Sequence, residues 1–145
     1  MKTRLLTVFV IAGVVTSLLP AGCTATPEHA SIEVSCDDFY TNPHITAEVH
    51  IPVDGTVTLI VCSNPTTGFE WEQKVFCPLL GSILTKVDHS FIGPEETGEV
   101  GVPGQEVWTF KGVGRGTSTI SLDYSQPWEG GEKGLWTYTL TIVVE

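Results

Sequence analysis

Thr56-Val-Thr-Leu-Ile-Val-Cys62, followed directly by Ser63-Asn-Pro-Thr-Thr-Gly-Phe-Glu-Trp71, is the stretch on which the fold turns. Its first half is a β-branched, apolar run of the kind that fills a central strand. In the second half, Asn64 can fold its side chain onto nearby backbone, Pro65 fixes φ, Thr66 and Thr67 are stiff at χ1, and Gly68 accepts a positive φ. Turn chemistry alone makes this a sound hairpin turn. Its stiffness also makes it a loop of low conformational entropy, suited to presentation.

Strand signals continue on both sides. Residues 45–51 alternate Ile45, Ala47, Val49 and Ile51 against Thr46, Glu48 and His50, and Pro52 with Asp54-Gly55 turns the chain. Phe69, Trp71, Gln73 and Val75 alternate with Glu70, Glu72, Lys74 and Phe76, so Phe69 and Trp71 should anchor the loop to the core. Further strands are expected at 83–91, 105–113, 118–124 and 135–144, with a short leading strand at 32–35. No stretch has a sustained helical period. The pattern predicts an all-β, seven-stranded antiparallel immunoglobulin-like β-sandwich over residues 31–145. If successive strands alternate in direction, the loops at 63–68, 92–104 and 125–134 share one end of it.

Composition narrows the setting. Lys2 and Arg4 precede an apolar run that ends at Pro20-Ala-Gly-Cys23, which reads as an export signal over 1–22. Small residues before Cys23 suggest a lipoprotein site there, although Pro20 stands where such sites usually carry an aliphatic residue. The expected protein is therefore exported and held at a membrane, at the cell surface or in the periplasm, by a lipid on Cys23, with plain signal cleavage or an uncleaved anchor as the alternatives. Residues 23–30 form a tether, and a monomer is expected. The leader holds two of the seven basic residues and none of the 17 acidic ones, leaving five against 17, a formal −12. Nucleic acid is an unsuitable partner for such a chain.

Cys36, Cys62 and Cys77 remain as an odd set, and spacing does not fix their pairing. Cys36 with Cys62 is preferred, because a bridge at Cys62 would brace the base of the opening stretch. The four histidines lie outside the three loops, no nucleophile elbow occurs, and neither metal nor cofactor is expected. An enzyme is a poor reading. Trp128, set behind Pro127 in a polar Gly-rich loop, is the residue least like plain structure. Rigid aromatics of this sort anchor interfaces; the alternative is a lid folded over the sandwich end.

Taken together, Asn64-Pro65-Thr66-Thr67-Gly68-Phe69 with Trp71, then Gly101-Val102-Pro103-Gly104 leading into Trp108, then Gln126-Pro127-Trp128-Glu129, resemble the chagasin family of inhibitors of papain-like cysteine proteases. The resemblance runs from about residue 53 to the C-terminus. It implies a proteinaceous inhibitor rather than an enzyme. The first loop would wedge into the active-site cleft, with Thr66, Thr67 and Gly68 over the catalytic cysteine and histidine. The second loop would run along one side by backbone contacts, and Trp128 would pack on the other. Gln126 departs from the family's usual Arg, which removes a charged contact to the protease. A competing reading is a cell-surface adhesion or ligand-binding module that uses the same edge.

Overall fold

The structure, a computed structural model, describes residues 25–74, 83–94 and 101–145. The leader, Cys23, Cys77 and the middle of the second loop lie outside the described residues. Eight strands are found among those described: β1 (His29–Val34), β2 (His44–Ile51), β3 (Thr56–Ser63), β4 (Glu70–Lys74), β5 (Leu84–Ile92), β6 (Gly104–Gly112), β7 (Gly116–Ser125) and β8 (Trp136–Val144). They form two four-stranded sheets, ordered β1-β3-β6-β5 and β2-β8-β7-β4.

The predicted sandwich is therefore present, with the leading strand counted as an eighth. That strand starts at His29, opposite Thr56, so it takes the last two residues assigned to the tether. Two pairings are parallel, β1 with β3 and β2 with β8, within an otherwise antiparallel arrangement. The cause is the route of the chain. Between β1 and β3 it crosses to the other sheet and back, so β3 re-enters the first sheet running in its original direction.

The first of those crossings carries a helix that the sequence reading lacked, α1 (Cys36–Thr41). Its six residues are too few to show an apolar period, so local chemistry makes it. Ser35 accepts from the Asp38 N–H while the Asp38 carboxylate accepts from the Ser35 N–H, a reciprocal cap. Those Ser35 bonds hold the Asp38 carboxyl below its ordinary range. Phe39 is the buried residue of α1.

Alternation explains the core. Val57, Leu59 and Val61 of β3, Phe110 of β6, Ile120 and Leu122 of β7 and Leu140 and Ile142 of β8 are buried between the sheets. Each such side chain contributes on the order of 1.5–3 kcal/mol of transfer free energy. Toward the end where α1 lies, the core becomes aromatic. Tyr124 stacks on Trp136 at 4.9 Å and on Phe69 at 5.3 Å, while Phe39 lies against Trp136 at 5.0 Å and Trp71 at 5.2 Å.

Candidate functional site

The first loop is not a hairpin turn. It leaves β3 in one sheet and enters β4 in the other, so it arches over the end of the core. Residues Pro65–Thr67 form one turn of 3₁₀ helix capped by Asn64, and Gly68 closes it at φ 78°. The Asn64 carboxamide oxygen accepts from the Thr66 N–H at 3.2 Å and the Thr66 hydroxyl at 2.6 Å. The Asn64 carbonyl accepts from the Thr67 N–H at 3.1 Å and the Thr67 hydroxyl at 2.6 Å. The stiffness read from residue types thus has specific bonds behind it.

Buried groups fix the base of this arch. The Asn64 N–H donates to the Tyr124 hydroxyl at 2.8 Å, and that hydroxyl donates to the Asn64 carbonyl at 3.2 Å. The Trp71 indole N–H donates to the Cys62 carbonyl at 2.8 Å, tying β4 across to β3. A disulfide joins Cys62 to Cys36 at the start of α1 and closes a loop of 26 residues. On the chain-entropy model such a bridge contributes about 3.5 kcal/mol. Phe69 and Trp71 are buried, whereas Pro65, Thr66 and Thr67 are exposed.

The other two loops meet the first, as strand parity requires. The Asn64 side-chain N–H donates to the Gly101 carbonyl at 2.9 Å, which joins the second loop to the first. Gly101 itself is at φ 83° and exposed. Val102 is half-buried, Pro103 is exposed, and Gly104 is buried at the start of β6. From the third loop, the Trp128 ring covers Gly68 so closely that a Cβ added there would lie 2.6 Å from the ring edge. Gly68 is needed twice, for its left-handed φ and for its missing side chain.

Trp128 keeps 50 % of its surface exposed while leaning on Gly68. It is neither a free probe nor a lid over the core: one face is seated on the first loop and the other is offered outward. Pro127 beside it is exposed. The Gln126 side chain folds onto its own loop, its carboxamide oxygen accepting from the Glu132 N–H at 3.0 Å, while the Gln126 backbone N–H donates to the Glu132 carbonyl at 2.8 Å. The Lys133 ammonium donates to the carbonyls of Gln126 and Trp128, the latter at 3.2 Å.

Three participants escaped the sequence reading: Tyr124, Lys133 and α1. Tyr124 offered a signal, a tyrosine closing an otherwise apolar strand face next to a loop, where the ring is buried and the hydroxyl needs a partner. For Lys133 no local pattern existed.

Comparisons with known proteins agree with this geometry. Amoebiasin-2 of Entamoeba histolytica is 30 % identical over 117 residues, covering 75 % of this chain and 91 % of that protein. The crystal structure of the cysteine protease inhibitor EhICP2 from Entamoeba histolytica shares the fold with a TM-score of 0.60 at 24 % identity, covering 82 % of this chain and 99 % of that one. The family described as Chagasin family peptidase inhibitor I42 matches residues 50–142, which include all three loops. The chain belongs to the chagasin family of peptidase inhibitors and is not an enzyme.

Proposed function

We propose that this protein inhibits papain-like cysteine proteases by laying the three interlocked loops across the active-site cleft. The observation that carries the reading is the mutual bracing of the loops, Asn64 on Gly101 and Trp128 on Gly68. Residues Pro65, Thr66 and Thr67 form the exposed tip and enter the cleft. Their backbone is already closed into a 3₁₀ turn, so the peptide bonds are held out of the extended form that a protease cleaves. Gly101, Val102, Pro103 and Gly104 flank it on one side. Pro127 and the outward face of Trp128 flank it on the other, with Gln126 setting the shape of its loop. Because little order remains to be gained on docking, an interface of roughly 800 Å² per partner suffices for tight binding.

The same proposal places the protein outside the cytoplasm as a monomer, exported by residues 1–22 and held at a membrane surface by a lipid on Cys23. Radiolabelled palmitate incorporation that disappears in Cys23→Ser tests the anchor. Titration of the purified protein against papain tests the inhibition. Micromolar or tighter inhibition is expected, and none at high micromolar concentration of folded protein refutes it.

A further inference from the structure

We propose that α1 and the entry to β8 supply a fourth contact element beside the three loops: a groove between Tyr40 and Leu135 that receives an apolar side chain from the rim of the bound protease's cleft. This inference rests on the inhibitor reading above.

The groove has a volume of about 390 Å³ and an aromatic floor of Phe69, Tyr124 and Trp136. Thr67 of the first loop and Pro103 of the second form its nearer wall. Any body seated on those two loops therefore covers the groove as well. On the far wall Tyr40 is 75 % exposed and stands edge-on to Trp136 at 5.4 Å, and Leu135 is 37 % exposed.

A lone exposed apolar residue needs no explanation. Two that flank one aromatic-floored groove, continuous with the loops that bind the partner, form a surface suited to an apolar anchor. Tyr40 is also mounted rigidly. Its neighbour Phe39 is fully buried and stacked on Trp136, and the Cys36–Cys62 disulfide ties α1 to the strand that leads into the first loop. A tyrosine held this way loses little freedom on contact. Asp37 also lines the groove, so the entering side chain should have a neutral or basic neighbour rather than an acidic one.

The test uses the full-length protein and papain. Tyr40→Ala and Leu135→Ser should each weaken inhibition by about five- to twentyfold with an unchanged unfolding midpoint. Independently, the Leu135 methyl resonances of the wild-type protein should shift when papain with a blocked catalytic cysteine is added. Inhibition constants within twofold of wild type, with unmoved Leu135 resonances, overturn the fourth contact while leaving three-loop inhibition standing. Loss of a self-associated species in Tyr40→Ala, seen by sedimentation, overturns it in favour of a second copy in the groove. If the wild-type protein does not inhibit at all, the parent reading fails and this one with it.

Discussion

At the loop end of the sandwich, most of the polar contacts that hold the three loops run from side chains to backbone: Tyr124 and Thr67 to Asn64, Asn64 to Gly101, Gln126 and Lys133 to the third loop. At the opposite end they run between charged side chains. Lys111 meets Asp54 at 2.8 Å, and His50 lies 2.5 Å from Glu145 and 3.3 Å from Glu48. The difference has a physical meaning. A side chain bonded to a main-chain group fixes a loop's path, whereas exposed ion pairs are screened and contribute little to order. One end is built to hold a shape and the other to stay solvated.

The largest effect should come from Gly68→Val, which adds a branched side chain at φ 78° beneath the Trp128 ring. A loss of at least about 2 kcal/mol of stability and about a hundredfold weaker inhibition of papain are expected, from denaturant midpoints and inhibition constants. Wild-type values for this variant would show that the two loops are not interlocked. Trp128→Ala comes next. It should weaken inhibition by about tenfold or more with an unfolding midpoint close to wild type, since the ring is half exposed.

Asn64→Ala removes both the cap of the 3₁₀ turn and the tie to Gly101. The expected cost is about 1–2 kcal/mol of stability, with inhibition weakened severalfold by loop loosening alone. Unaltered amide exchange at Thr66, whose N–H donates to the Asn64 carboxamide, would contradict that account.

The smallest effect belongs to the charged end. Glu145, then Glu48, hold the His50 pKa above its ordinary 6.5, and His50, then Thr26, hold the Glu145 pKa below its ordinary 4.5. The His50 contribution is present below 6.5 and fades as pH rises through its raised folded value. That of Glu145 is present above 4.5 and fades as pH falls through its lowered one. The unfolding midpoint should therefore be slightly higher near pH 5.5 than near pH 8.5, and His50→Gln should remove that part of the slope without touching inhibition. A change in inhibition on His50→Gln would join the two ends and break the contrast.

Much of this was legible in the residues. Val57, Leu59 and Val61 announce a buried strand, Trp71 and Phe69 do bury and anchor their loop, and strand parity brings Asn64, Gly101 and Trp128 to one end. Period-two alternation, however, says which face of a strand is buried and not which sheet the strand joins. For that reason the arch between β3 and β4 looked like a hairpin. The parallel edges, β1 on β3 and β2 on β8, were hidden for the same reason. α1 was missed because a helix of one and a half turns is specified by its cap, Ser35 with Asp38, and not by a period. The seat of Trp128 on Gly68 depends on a distance between chain segments 60 residues apart, which no local pattern encodes.

The arch has a consequence for how the proposed inhibitory edge is gauged. The second loop joins β5 to β6 within one sheet and the third joins β7 to β8 within the other, while the first spans from sheet to sheet. The edge is thus a caliper whose jaws are the two sheets and whose opening is the thickness of the core, about 10 Å. Its gap is set by residues buried between the sheets, such as Phe110 and Leu122. Substitutions that thin or swell that filling would retune the spacing of the jaws while every loop residue stayed the same.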